Sequence, residues 1–227
     1  MKRHLKAIVA PRSWTLLRKE NKYVTRPLPG AHTLDRSLPV SVLLKQLGFA
    51  DTTREVRKIL NDKGVSVDGK VVKDRHFGVG FMDVVQLKDA KKNLRVSLDM
   101  KGRSVFLDIP EAETAKKVCK IEGKNVVKGN KLQLCLSDGR NVLAEKNEYA
   151  VGDSVVISVP EQKVSSHIPL EKGASVFLMA GRHMGKIGKV EDIQGDRLWF
   201  TADGEKLETL KKFAFAVGKE KSVVNLK

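Results

Sequence analysis

The residues best placed to do chemistry in this 227-residue chain are cations in fixed company. Arg54, Arg57 and Lys58 share a short segment with Val56, Ile59 and Leu60, so a helix there shows one cationic and one apolar face. Further on, Arg182, His183, Lys186 and Lys189 are interleaved with Gly181, Gly185 and Gly188. Glycine lets a backbone come close to a phosphate, and the cations favour the approach. The N-terminal stretch adds Lys2, Arg3, Lys6, Arg12 and Arg18 around a single Trp14, and Lys70 sits beside a turn. The chemistry these residues suit is neutralising phosphates and releasing their counterions. His183 is the most tempting general base. It sits among cations with no carboxylate to orient it before Glu191, so a phosphate or backbone contact suits it better.

The overall balance agrees. Lys and Arg number 43 against 27 Asp and Glu, a formal charge of +16, which points to nucleic acid or an anionic surface as partner. Residues 1–36 hold nine basic and two acidic residues, a net of +7, while 37–88, 89–172 and 173–227 each come to +3. No apolar run approaches the roughly 20 residues of a membrane span. The apolar stretch at 7–10 is too short for a signal peptide. Cys119 and Cys135 lie among apolar residues and read as two buried thiols, without the numbers for a disulfide framework or zinc site. The expectation is a soluble intracellular protein with no metal, no cofactor, no membrane and no small-molecule substrate.

The elements that must position these cations follow from local pattern. Val40, Leu43, Leu44 and Leu47 recur at i, i+3, i+4 and i+7, predicting an amphipathic helix before Gly48. Thr52 with Glu55 three residues on is a capping-box signature for the next helix, which Gly64 is expected to end from C′. Val65-Ser66-Val67 and Lys70-Val71-Val72 flank Asp68-Gly69, a hairpin turn, and a loop over 76–80 precedes a closing strand at 83–87. Residues 1–36 read either as a solvated leader that gains order only on its partner or as an irregular arm with one helical turn over 13–19, capped by Ser13, in which Trp14 packs on the body or on nucleic acid. Strict alternation at Leu94/Val96/Leu98, Val105/Leu107/Ile109, Leu132/Leu134/Leu136 and Val155/Ile157/Val159 predicts half-buried antiparallel strands, with a short helix over 111–117. Asp138-Gly139 and Asp203-Gly204 mark further hairpins, and strands are expected at 174–179, 198–200 and 213–217.

Residues 37–87 carry a resemblance. Gly48-Phe49 after an amphipathic helix, Thr53-Arg54 at a helix start, and Gly64-Val65-x-Val67-x-Gly69-Lys70-x-Val72 resemble the S-four type RNA-binding domain. Ser37-Leu38-Pro39 stands where that family usually opens with Arg-Leu-Asp. The glycine-spaced segment around Gly185 resembles the KOW motif, a strand-loop-strand element on a small β-barrel. Together with His4-Leu5-Lys6, Pro11, Trp14 and Gly80-Phe81-Met82-Asp83-Val84-Val85, the combination resembles the archaeal and eukaryotic small-subunit ribosomal proteins of the "S-four, eukaryotic type", on the archaeal side.

The fold class expected is α+β and multidomain: a basic arm (1–36), a small α/β S-four-type domain (37–88), a central β-rich domain (89–172) and a C-terminal KOW-type small β-barrel (173–227). The resemblance implies a non-enzymatic constituent of the small ribosomal subunit, in the cytoplasm, whose partners are small-subunit ribosomal RNA and neighbouring small-subunit ribosomal proteins. A KOW-containing RNA- or protein-binding translation or transcription factor is the alternative. An RNA-modifying enzyme is weaker still, because the short alternating strands of 89–172 suit no catalytic domain of that kind.

Overall fold

The computed structural model describes residues 4–144, 147–219 and 222–226. The chain is rich in strands, with few helices, and it divides into two units. One is built on residues up to Ser97 with Arg103–Thr114, the other on Leu98–Gly102 with Ala115 onward.

The first unit begins with the arm. Strand β1 (Leu5–Lys6) pairs antiparallel with β2 (Tyr23–Val24), and a 3-10 turn covers Ala7–Val9. The helical turn expected over 13–19 does not form. The Ser13 hydroxyl donates to the Asp35 carbonyl instead of capping, and the Ser13 carbonyl accepts from the Ser104 N–H at 2.9 Å. Leu5, Ala10 and Trp14 join the hydrophobic core of the following domain. Burying that apolar surface is what orders a strongly cationic segment.

Strand β3 (Ser37–Pro39) leads into α1 (Val40–Gln46), whose Val40, Leu43 and Leu44 are buried. Helix α2 (Thr53–Asn61) starts in the predicted capping box, with both reciprocal bonds present. Its end differs from expectation: Lys63, at φ 55, takes the left-handed C′ position and Gly64 is C″. The Gly64 N–H bonds the Ile59 carbonyl and the Lys63 N–H bonds that of Leu60, the paired bonds of a Schellman motif. Space at Gly64 is tight: a Cβ would lie 2.8 Å from the Asp89 carboxylate and 3.1 Å from the Ile59 carbonyl.

Strands β4 (Val65–Val67) and β5 (Lys70–Val71) form the hairpin, with Asp68 and Gly69 both at positive φ as a type I′ turn requires. The segment expected as a loop over 76–80 contains strand β6 (Gly78–Gly80), which pairs with β3. Strand β7 (Val84–Leu87) pairs with β4 on one side and with β8 (Lys92–Leu98) on the other, and β9 (Ser104–Asp108) completes the order β5-β4-β7-β8-β9. The S-four-type sheet therefore runs past residue 88. Arg95 on β8 is fully buried and bonds Glu113 on α3 (Glu111–Thr114) through both side chain and backbone, so this helix closes the first unit.

In the second unit, β10 (Lys116–Val127), β11 (Lys131–Leu136), β12 (Asn141–Ala144), β13 (Ser154–Ser158) and β14 (Val164–Ile168) form an antiparallel sheet in the order β12-β11-β10-β13-β14. Its buried face holds Leu134, Leu136, Val155, Ile157 and Val159 from the predicted alternation, joined by Cys119 and Ile121 of β10. The second sheet holds β15 (Ser175–Leu178), β16 (Ile187–Gln194), β17 (Arg197–Ala202), β18 (Glu205–Leu210) and β19 (Ala214–Gly218), in the order β18-β17-β16-β15-β19. Asp203-Gly204 turns β17 into β18, as expected. No helix among the described residues is long and apolar enough to cross a membrane.

Candidate nucleic-acid interface

Helix α2 carries the best-defined cationic surface. Val56 and Leu60 are buried beneath it, whereas Arg54, Arg57 and Lys58 are exposed on its other side. The capping box fixes where the helix starts. Hydrogen bonds from the Asp51 N–H, and then from Thr52, hold the Glu55 carboxyl below its ordinary value, so it stays an acceptor. Both ends are thus satisfied locally, and the three cations are presented by a preformed element. Lys70 is exposed on β5, an edge strand of the same unit's sheet.

In the arm, Lys6 and Arg12 are exposed. Lys2 and Arg3 lie outside the described residues. Arg18 is half-buried and its guanidinium donates to the carbonyls of Ile8 and Pro11, both at 3.2 Å, so it braces the arm. Trp14 must be corrected as a candidate contact. It is 3 % exposed, and its Nε1 donates to the Ser37 carbonyl at 2.7 Å. An indole so enclosed has no face to offer a base; it serves as the arm's anchor.

The glycine-rich loop joins β15 to β16 in the other unit. Gly185 has φ 79, and a Cβ there would lie 2.7 Å from the backbone of Asp99 and Met100, so no side chain fits. Around it, Arg182 and Lys189 are exposed, while Lys186 is half-buried with its ammonium 4.0 Å from the Asp203 carboxylate. His183 meets the ring of Phe200 edge-on, with centroids 6.1 Å apart. The acids that follow are engaged elsewhere. Glu191 accepts hydrogen bonds from Lys206 and Thr201, which hold its carboxyl below the ordinary value, and Asp192 is held low chiefly by Lys172. Glu191 is therefore committed to neighbours other than His183, which removes the one orienter the sequence offered. Among the described residues, no cluster of three His, Cys, Asp or Glu side chains could hold a metal ion.

The described candidate cations thus lie on the arm, α2 and β5 of the first unit, and on the loop before β16 and on β16 itself (Lys189) of the second. Sequence reasoning passed over His4, Lys22 and Tyr23. The His4 ring meets Tyr23 edge-on at 5.5 Å, and Lys22 Nζ stands 5.6 Å from the centre of the same ring. The adjacent pair Lys22-Tyr23 in a basic arm was the available signal.

These elements define a multidomain protein that carries an S4 domain and a KOW motif, two modules that each present exposed cations. The S4 domain model matches residues 38–85 and the KOW motif residues 172–203; the RS4NT (NUC023) domain matches 1–35, and the ribosomal family S4e model matches 90–164. Among curated relatives, small ribosomal subunit protein eS4 of Methanocaldococcus jannaschii is 41% identical over 99% of this chain and 98% of its own. Its counterpart from Methanothermobacter thermautotrophicus is 40% identical over 99% and 96%. The crystal structure of the 30S ribosomal protein S4e from Thermoplasma acidophilum superposes with a TM-score of 0.70 at 29% identity, covering 81% of this chain and 95% of that one. The chain belongs to the ribosomal family S4e.

Proposed function

We propose that this chain is a structural, non-catalytic constituent of the small ribosomal subunit that binds ribosomal RNA and supports translation. Membership of the S4e family over nearly the full chain carries the reading, and the exposed cations of α2 supply its mechanism. The RNA contacts assigned are Lys6 and Arg12, with Lys2 and Arg3 before them; Arg54, Arg57 and Lys58 on α2; Lys70 on β5; and Arg182, His183, Lys186 and Lys189 in the loop. Trp14 and Arg18 support the arm from within. Each exposed cation that reaches a phosphate releases a counterion, and the glycine at 185 keeps the loop backbone low enough to follow an RNA surface.

The architecture belongs to the same proposal. The chain is α+β, with four modules: arm, S4 domain, central β-rich domain and KOW unit. The second module extends through α3, since β8 and β9 continue its sheet. Bulges at Ser175/Val176 and Val190/Asp192 add the local twist that curls a five-stranded sheet into a small barrel. The partners are small-subunit ribosomal RNA and adjoining small-subunit proteins, and the place of action is the cytoplasm, within the subunit.

Sedimentation of cell extracts tests the reading. The chain is expected to co-sediment with the small subunit and to stay there through a moderate-salt wash. A wholly free pool, with none on ribosomes, contradicts it. Association with another protein that survives nuclease treatment supports the alternative of a protein-binding factor.

A further inference from the structure

A cavity of about 420 Å³ opens in the first unit between the arm and the two helices. Its walls combine Thr15, Asn21, Tyr23, Ser41, Lys45 and Gln46. We propose that this cavity receives one unpaired nucleobase of the bound RNA, an inference that rests on the RNA-binding reading above.

Five observations converge. Ser41 is 1 % exposed and lines the cavity, and its buried hydroxyl has no hydrogen-bond partner among the described residues. A buried hydroxyl left unmet is costly, so a polar ligand edge that meets it is favoured. Asn21 supplies amide donors and an acceptor at the same cavity. Gln46 already donates its Nε2 to the Thr15 carbonyl at 2.8 Å, which leaves its Oε1 as an acceptor. Tyr23 is 51 % exposed, with Lys22 beside its ring, so a π-face and a phosphate partner stand together at the cavity mouth. Lys45 adds a second cation to the lining. Amides, hydroxyls, an aromatic ring and a lysine ammonium in one lining match the base edge, base face and phosphate of a nucleotide, with Glu20 and the apolar Leu16, Leu17, Val24 and Val42 completing the walls. Sequence-selective RNA recognition works on unpaired bases splayed out in this way.

Equilibrium binding of the full chain to two single strands tests this: an oligoadenylate, and a strand of the same length whose residues are abasic, so that the phosphates are equal. The wild-type chain is expected to bind the base-bearing strand roughly tenfold tighter, in the range for stacking one base on an aromatic side chain. Tyr23→Ala is expected to lose that preference while keeping the dependence on salt, and Tyr23→Phe to retain the preference. Thermal melting checks each variant's fold. Should Tyr23→Ala unfold, Asn21→Ala, at an exposed position ahead of β2, serves in its place. Equal affinity for both strands with a steep salt dependence overturns the cavity assignment and leaves RNA binding intact. No salt-dependent binding to either strand counts against both. A photo-crosslinker at position 23 that labels a neighbouring protein in the small subunit, rather than a nucleotide, also overturns the assignment.

Discussion

Trp14 donates its indole N–H to the carbonyl of Ser37 at 2.7 Å, across 23 residues of chain. The bond ties the middle of a cationic arm to the strand that opens the S4 domain, and the ring itself sits in that domain's core. An arm read from composition alone as an irregular leader is, from Leu5 to Trp14, part of the first unit.

Trp14→Ala should therefore destabilise the first unit by about 3–5 kcal/mol, the range for truncating a buried aromatic. Limited proteolysis of the free protein should find the wild-type arm resistant through Trp14 and the variant's arm cut early. An arm cleaved equally fast in both would show that the packing does not hold in solution.

Lys120 makes a second long-range tie, within the other unit. Its ammonium, on β10, donates to the carbonyls of Ala214 at 2.6 Å, Lys212 at 2.9 Å and Lys211 at 3.4 Å. Lys120→Met keeps the apolar stem but removes the donors. Charged hydrogen bonds of this kind contribute about 1.5–3 kcal/mol, so chemical denaturation should show a loss of at least that order. Lys120→Arg should not restore stability, because a planar fork cannot fill a site shaped for a compact ammonium. Full rescue by arginine would contradict this account.

Cys119 gives a pH prediction. Burial pushes its thiol well above the usual 9.0, and the Asp138 carboxylate 3.5 Å away adds to the shift. The sign follows from the neutral form being favoured in the fold. Stability is complete below the unfolded thiol's pKa and falls as pH rises from there toward the folded value. Alkylation at neutral pH should mark Cys135 before Cys119, and Cys119 should react only as the protein unfolds. Rapid labelling of Cys119 in the native protein would contradict its burial.

Much of this fold was legible because its signals are local. The Thr52/Glu55 capping box, the Asp68-Gly69 and Asp203-Gly204 turns and the period-two strands each depend on neighbours a few residues away. The misses have one physical origin, since they depend on partners distant in sequence. Gly78–Gly80 carries no alternation, and it becomes a strand only because Ser37–Pro39 pairs with it. Strands β8 and β9 alternate like those that follow, and nothing in their periodicity says that they extend the preceding sheet. Lys63 occupies a left-handed position that favours glycine, because the paired bonds of the Schellman motif put C′ one residue before Gly64. The exposed cations of the site were readable one by one. The buried role of Trp14 and the bracing role of Arg18 were not, since indole and guanidinium serve packing and binding equally well.

The most direct measurement is the salt dependence of RNA binding by the Arg54→Ala/Arg57→Ala/Lys58→Ala chain, compared with wild type on small-subunit ribosomal RNA. If α2 lies against phosphates, the variant binds more weakly at low salt. Its plot of log K against log salt is then shallower by up to roughly 2–3 units, at just under one per phosphate contact. An unchanged slope and affinity would mean that α2 faces solvent, and the account of this helix as an RNA-binding platform would be wrong.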